Sequence, residues 1–188
     1  MALRLSLAFA MLAAGTALLG ASALASSAAE TPKGGTLRIM SPDDLSVDPA
    51  LAYLTDDWMI EYATCAKLFN QPDAPGAAGL RVVPEVVRSF TVSRDGRTYT
   101  FDLRRTFRFH TGAAVTARSF ADAFNRNAQP TLQSPATKYM HEIAGADAVI
   151  DGKAKSISGV RVLGRHRLQV RLTRPLGDFT ARLTMPFF

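Results

Sequence analysis

Side chains that could perform catalysis or bind a metal are few and widely separated in this sequence. The three histidines, His110, His141 and His166, show neither the i, i+4 spacing nor the Cys/His clustering that a zinc or iron site requires. Cys65 is the single cysteine, and its neighbours supply no histidine that could activate the thiol. We therefore predict no catalytic residue, no metal site and no cofactor, and we interpret Cys65 as a small buried hydrophobic residue.

The densest acidic group lies in a loop. Asp43, Asp44 and Asp48 follow a predicted strand at residues 36–40. Loops at strand ends often contact ligands, and an acidic loop suits a cationic group such as a peptide amine. Turn formation is the alternative role, above all for Asp48, which precedes Pro49. For Asp43 and Asp44 the sequence leaves both roles open.

Two hairpins are the clearest secondary structure. Asp95-Gly96 is a strong turn signal between two segments of alternating apolar residues, and Gly164 separates two more. The same period of two continues at Phe107 and Phe109 and predicts a further strand there. The apolar positions of the two hairpins are Phe90, Val92, Tyr99, Phe101 and Leu103 in the first, and Val160, Val162, Leu168, Val170 and Leu172 in the second.

Three segments show helical spacing. The first is capped by Thr55 or Asp56 and ended by Asn70 and Pro72, with an apolar face of Met59, Tyr62, Ala63, Ala66 and Phe69. The second is capped by Thr116 and stopped by Pro130, and the third runs from Ser134-Pro135 to Gly145. Because helices and antiparallel strands mix without a regular βαβ rhythm, the pattern predicts an α+β body of sheet hairpins and packed helices.

The two ends of the sequence predict that the protein is exported and that the sequence is truncated. Residues 5–25 carry no charge, and small residues precede Glu30, so we predict a signal peptide at 1–29 and a domain at 30–188; a retained membrane helix is the alternative. No cysteine near the cleavage site could take a lipid, which predicts a periplasmic or otherwise extracytoplasmic protein that is not lipid-anchored. The apolar residues 183–188 are typical of the interior of a larger fold, so we expect a truncated sequence.

The net charge of +6 raises the question of an anionic partner. Arg97, Arg104, Arg105 and Arg108 surround aromatic residues, a pattern that resembles a nucleic-acid-binding sheet. The aromatic residues share the parity of core positions, so we predict no nucleic-acid binding. In the second hairpin, basic residues alternate with the apolar ones, and we interpret this row as a solvated sheet face, with an anion-binding face as the alternative: Arg161, Arg165, Arg167 and Arg171.

Seven motifs in register carry a resemblance to the N-terminal part of the family 5 extracytoplasmic solute-binding proteins, the oligopeptide, dipeptide and nickel class that serves ABC importers. The match spans most of residues 33–188. The motifs, in order, are GGTLRI, SVDP, KLFN, VVPEVVRSFTVSRDGRTYTFDLR, FRFHTGAAVTARSF, LQSPATKY and LTRPLGDF.

This resemblance implies part of a periplasmic-binding-protein-like lobe of type II, with the second lobe missing. It implies a monomer that is not an enzyme and that binds a peptide or other small solute and delivers it to an ABC permease in the inner membrane. The residues bordering the cleft would be Asp43, Asp44, Leu45, Ser46 and Val47, together with Ala136 and Tyr139 in the SPATKY segment.

One wall of a cleft cannot enclose a solute, so we expect weak or absent binding by this chain alone. Related peptide binders often place an aromatic residue where Ala136 stands, which leaves the ligand class open. An adaptor of the cell envelope, with the apolar end as its contact surface, is the alternative function. A secreted hydrolase is a further alternative, disfavoured by the lack of a nucleophile and base in a recognisable motif.

Overall fold

The computed structural model describes residues 34–36, 38, 40 and 44–188. The chain divides into two units, Met1–Ile39 and Met40–Phe188, and all helices and strands of the described residues belong to the second. The predicted signal peptide lies outside the described residues. Of the predicted strand at 36–40, only Thr36, Arg38 and Met40 are described, and none of the three is in a strand. No helix in the described ranges is long and apolar enough to cross a bilayer.

The elements within Met40–Phe188 alternate between short helices and antiparallel strands. Two 3₁₀ turns, Gly76–Ala78 and Pro135–Tyr139, lie between them. Their order is α1 (Thr55–Thr64), β1 (Phe69–Asn70), β2 (Val83–Pro84), β3 (Val87–Val92), β4 (Thr98–Leu103), α2 (Ala117–Asn127), α3 (Ala146–Ile150), β5 (Val160–Gly164), β6 (Arg167–Arg171) and α4 (Phe179–Arg182).

Both predicted hairpins are confirmed, and they join into one antiparallel sheet of order β3-β4-β6-β5. Gly96 supplies the positive φ of 68° that the first turn needs. Phe101 pairs with Leu168 and Tyr99 with Val170, so the apolar residues of both hairpins lie on the same face. Phe101, Leu168 and Val170 are fully buried. The alternation seen in the sequence therefore decides which face of the sheet is covered.

Helix α2 and the last residues of the chain cover this face. Helix α2 begins after Thr116, as predicted, and buries Phe120 and Phe124. The ring of Phe188 stacks on Phe124 at 4.8 Å between centroids. Phe187 and Phe188 are 2% and 5% exposed, so the apolar end forms part of the core and offers no contact surface.

Three predicted elements differ from the structure, because backbone groups in them form hydrogen bonds with other parts of the chain. Residues 107–109 form no extended strand: only Arg108 makes an antiparallel bridge, with Ala114, and Phe109 N donates to the carbonyl of Ala113 across a tight turn. The helix predicted for 134–145 is only the 3₁₀ turn Pro135–Tyr139, since Ala144 N donates to Arg171 O and Thr173 N to Glu142 O. Helix α1 ends at Thr64 rather than Asn70, because residues 67–69 pair with residues 84–86.

Helix α1 buries the side opposite to the apolar face that the sequence predicts. Met59 and Tyr62 are 58% and 37% exposed, whereas Asp57 and Glu61 are 3% and 1% exposed. The cap also differs from the prediction: Leu54 precedes the helix, and its N–H donates to Asp57 Oδ2 at 3.2 Å. The helix therefore presents carboxylates to the interior and apolar side chains to the surface.

Glu61 is incompletely satisfied in this interior. Its Oε2 accepts a hydrogen bond from the Cys65 thiol at 2.8 Å, while Oε1 is buried and has no hydrogen-bond partner among the described residues. Burial raises the pKa of Glu61, and the Asp48 and Asp57 carboxylates raise it further. The hydrogen bond from Cys65 and the Lys67 ammonium act in the opposite direction. Ionised Glu61 is thus a source of instability in the fold.

We predict that Glu61→Gln gains stability relative to the parent chain as pH rises. The folded protein holds the Glu61 proton to higher pH than the unfolded chain, whose carboxyl has its ordinary pKa near 4.5. The parent's free energy of unfolding therefore falls as pH rises from that value through the raised pKa, whereas Gln does not titrate. Urea unfolding of both proteins at several pH values should show the difference shifting by about 1 kcal/mol or more. A difference that is constant with pH would contradict the burial of an ionising Glu61.

Asn127 gives a second stability prediction. Its Nδ2 donates to the carbonyl oxygen of Phe187 at 2.7 Å, and the side chain is fully buried at the end of α2. Asn127→Ala leaves that carbonyl without a partner and should lower the free energy of unfolding by about 1 to 3 kcal/mol. The control is Gln129→Ala, which removes a half-exposed amide bonded to Asn125 O and should cost less than about 0.5 kcal/mol. Equal losses in urea unfolding would show that Asn127 does not fix the chain end.

Candidate functional site

The loop before α1 is fixed by two carboxylates. Asp57 accepts hydrogen bonds from the backbone N–H groups of Ser46, Tyr53 and Leu54, at 2.8, 3.2 and 3.2 Å. Asp48 binds both terminal nitrogens of Arg126 on α2, at 2.7 and 2.6 Å, and also accepts from Ala50 N. The predicted turn-forming role of Asp48 is therefore present, joined by an ion pair. Together these bonds place residues 44–48 beside the N-terminus of α1.

Hydrogen bonding keeps both carboxylates ionised. The bond from Ser46 N is the largest cause of the lowered pKa of Asp57, and the Arg126 guanidinium lowers the pKa of Asp48. Asp57 also lies within the first turn of α1, where the helix dipole favours negative charge. This end of the helix is thus acidic at neutral pH.

Two adjoining depressions lie along this part of the chain and share Leu54 and Thr55. The first has a volume of about 220 Å³ and includes three acidic residues. The second is about 450 Å³ and is mostly aromatic. We call the pair the α1 groove. Its lining residues are Asp44, Leu45, Leu54, Thr55, Asp56 and Asp57 in the acidic part, and Tyr53, Leu54, Thr55, Trp58, Met59 and Tyr62 in the aromatic part.

An aromatic cluster supports the second part of the groove. Trp58 packs edge-on against Tyr53, Tyr62 and Phe187, with ring centroids 5.7 to 6.2 Å apart. Its indole N–H donates to Ala52 O at 3.0 Å, so the ring has a fixed orientation. Tyr53 and Tyr139 stack on Phe187, and their hydroxyl oxygens lie 3.0 Å apart. Rigid rings of this kind give a contact surface at low entropic cost.

Next to the groove lies a polar group around Lys67, whose ammonium is 4.7 Å from the centre of the Tyr62 ring. Lys67 is fully buried; its Nζ donates to Cys65 O at 3.0 Å and lies 3.7 Å from Glu85 Oε2. Burial, followed by the hydrogen bond to Glu61, raises the pKa of Cys65 to about 11. Cys65 is half-buried and hydrogen-bonded, so its interpretation as a simple buried hydrophobic residue needs correction. A thiol with this pKa is protonated at neutral pH and is a poor nucleophile.

The structure brings together some of the site residues predicted from the sequence. Asp44 and Leu45 line the groove, and Tyr139 touches it through Tyr53. Ser46 contributes its backbone N–H to Asp57. Val47 is 72% exposed but lines neither depression. Ala136, within the SPATKY turn, is fully buried and cannot contact a solute. Asp43 lies outside the described residues.

The groove residues that the sequence reasoning missed are those of α1 itself. Met59 and Tyr62 were assigned to a core face because their spacing is helical, and Trp58 was not assigned at all. The available signal was the presence of Asp57 and Glu61 at i, i+4, which gives the helix a polar stripe opposite Met59 and Tyr62. A helix with stripes of both kinds can bury either one.

Comparison with known proteins begins with the sequence. Residues 81–188 match the family described as "Bacterial extracellular solute-binding proteins, family 5 Middle". The chain is 32% identical over 173 residues to the periplasmic murein peptide-binding protein MppA of Escherichia coli, covering 87% of this chain and 31% of that one. It is 34% identical over 107 residues to the periplasmic oligopeptide-binding protein OppA of the same organism, covering 55% of this chain and 19% of that one. The chain thus spans less than a third of the length of these relatives.

Solved structures agree with the sequence. The E. coli murein tripeptide-binding protein MppA superimposes with a TM-score of 0.68 at 31% identity, over 76% of this chain and 28% of that one. OppA of Burkholderia pseudomallei gives a TM-score of 0.68 at 27% identity, over 76% and 27%. The predicted α+β fold, part of a type II binding-protein architecture, is therefore confirmed. With more than half of its residues matched by the family, this chain belongs to the family 5 bacterial extracellular solute-binding proteins.

Proposed function

We propose that this chain is part of the solute-binding component of an ABC importer and that its α1 groove contacts a peptide. The relatives MppA and OppA are named as periplasmic peptide-binding proteins. The observation that carries the proposal is the groove itself, in which an acidic end adjoins a partly exposed aromatic surface. A permease of the inner membrane is the proposed partner, and the chain acts as a monomer.

The groove is chemically suited to the amino end of a peptide. An ammonium group placed near Asp44 would face an exposed carboxylate, with the buried and ionised Asp57 behind it, and apolar side chains would lie on Tyr53 and Trp58. Among the predicted ligand-binding residues, Asp44 and Leu45 contact the solute in this proposal, and Ser46 and Val47 belong to the loop that carries them. Tyr139 orients Tyr53, Ala136 supports the turn beneath it, and Asp43 stays a predicted contact.

We extend the proposal to the rest of the chain. Residues 1–29 are a signal peptide, residues 30–188 belong to an N-terminal lobe, and the product is exported. The chain is a binding protein and not an enzyme, as expected for its family. The adaptor alternative depended on an exposed apolar end, and the burial of Phe187 and Phe188 removes its basis.

Trp58 offers a direct test, since it is the only tryptophan of the chain and lines the groove. Titration with an apolar tripeptide should change its fluorescence with a dissociation constant of about 1 mM or weaker, as expected for one wall of a site. The N-acetylated tripeptide, which lacks the ammonium group, should bind more weakly. A stronger response to the acetylated peptide would contradict the assignment of the acidic end to the amine.

A matched pair of variants tests the position of the site. Leu54 is shared by both parts of the groove, whereas Leu80 is an exposed leucine outside it. Leu54→Ser should weaken the response of Trp58 to the tripeptide by about threefold or more, because it removes apolar contact area. Leu80→Ser should leave the titration unchanged. Equal effects of the two substitutions would place the peptide elsewhere.

Calorimetry tests the expectation that one wall binds weakly. Sites for small molecules bury most of the ligand surface, and the α1 groove is open along its length. Titration of the chain with a tripeptide library should therefore give no binding with a dissociation constant below about 100 μM. Micromolar binding would show that this chain alone encloses a complete site.

A further inference from the structure

The outer face of the sheet carries a row of arginines that the proposed solute-binding function does not use. Residues paired across antiparallel strands point to the same face, so Arg167, Gln169 and Arg171 of β6 lie with Asp102, Thr100 and Thr98 of β4. Arg161 of β5 pairs with Gln169 and extends the row to the sheet edge. The apolar residues of these strands occupy the opposite, covered face. The row therefore lies on an open face of the sheet, with Arg161, Arg167 and Arg171 exposed.

Most of this charge is not neutralised within the described residues. Asp102 pairs with Arg167, with 3.1 Å between Nε and Oδ1. Arg161, Arg165 and Arg171 are exposed, and none of the ion pairs in the described part of the chain involves them. Residues two apart on one strand are separated by about 7 Å, less than the Debye length at physiological salt, so their potentials add.

The end of β5, next to the turn of this hairpin, adds an exposed apolar residue. Leu163 is 51% exposed and lies between Arg161 and Arg165, where the register of β5 against β6 shifts. The turn is anchored, because Ala117 N at the start of α2 donates to Arg165 O at 2.9 Å. A leucine flanked by arginines beside a fixed turn suits a lipid interface, because phosphate groups and acyl chains are both within reach there.

We propose that the arginine face, defined as Arg161, Arg165, Arg167 and Arg171 with Leu163, binds the surface of an anionic phospholipid bilayer. Guanidinium groups match phosphate geometry and attract an anionic surface without a shaped pocket. The face lacks the buried apolar centre typical of protein interfaces, and Tyr99 and Phe101, the aromatic residues of β4, are buried on the opposite side of the sheet and cannot stack on nucleic-acid bases there. A bilayer is the anionic partner that can contact both the row of arginines and the exposed Leu163.

The test is flotation of the chain with vesicles. Vesicles of phosphatidylglycerol and phosphatidylcholine in about a 1:3 ratio should bind at least about tenfold more protein than pure phosphatidylcholine. Binding should fall steeply when NaCl is raised from about 50 to about 500 mM. The neutral vesicles measure any binding by the apolar residues 5–25, which all variants share. Equal binding to both vesicle types would overturn the proposal.

Two charge-matched triple variants locate the surface. Arg161→Gln with Arg165→Gln and Arg171→Gln should reduce binding to anionic vesicles by about tenfold or more. Arg118→Gln with Lys153→Gln and Lys155→Gln removes the same charge from exposed positions outside the sheet and should change binding by less than about threefold. Both sets are exposed side chains, and unchanged circular dichroism confirms folding. Equal losses would mean that net charge, and not the arginine face, is responsible.

Two further arms separate a bilayer from a soluble anion. Leu163→Ser should lower vesicle binding by about twofold to fivefold, because the apolar contact with the interface is lost. Inorganic phosphate at constant ionic strength should not displace the chain from anionic vesicles. Displacement by phosphate, or full binding by Leu163→Ser, would overturn the assignment to a lipid surface.

Discussion

The carboxylate of Asp57 accepts hydrogen bonds from backbone amides on both sides of a loop, those of Ser46, Tyr53 and Leu54. These bonds tie the acidic loop to the first turn of α1 and require this side of the helix to face inward. Once Asp57 is inside, Glu61 one turn later is inside as well, and Met59 and Tyr62 must face outward. The α1 groove therefore follows from how a buried carboxylate is satisfied. The strained position of Glu61 is the energetic cost of that orientation.

The sheet could be predicted from the sequence because its signals are local. Asp95-Gly96 specifies a turn, and alternation predicts the buried side chains of β4 and β6, whereas Phe90 and Val92 of the edge strand β3 are 39% and 42% exposed. The pairing of β4 with β6 brings together residues about 70 positions apart, and no local pattern encodes it. The failures share this cause. The pattern of residues 142–144 predicts a helix, yet their backbone groups form hydrogen bonds with residues 171–173.

The site was predictable only in part, for a related reason. A carboxylate in a helix normally marks the solvent side, and hydrophobic periodicity assumes that rule. Asp57 breaks it because distant amides satisfy its oxygens. The family resemblance predicted the loop at 43–47 and Tyr139 as neighbours of the cleft, and the structure places Asp44, Leu45 and Tyr139 at or beside the groove. Ala136, chosen by motif position, is buried because the Ser134 hydroxyl accepts its N–H and draws it beneath the turn.

The central claim is that α1 turns its apolar side to the surface and that this side contacts solute. Methionine oxidation by dilute peroxide, followed by peptide mass spectrometry, tests it within one sample. Met59 is 58% exposed, Met40 is 96% exposed and Met140 is fully buried. The account predicts that Met59 oxidises nearly as fast as Met40 while Met140 is protected, and that a saturating tripeptide slows Met59 alone. Oxidation of Met59 as slow as that of Met140 in the free chain would contradict the account.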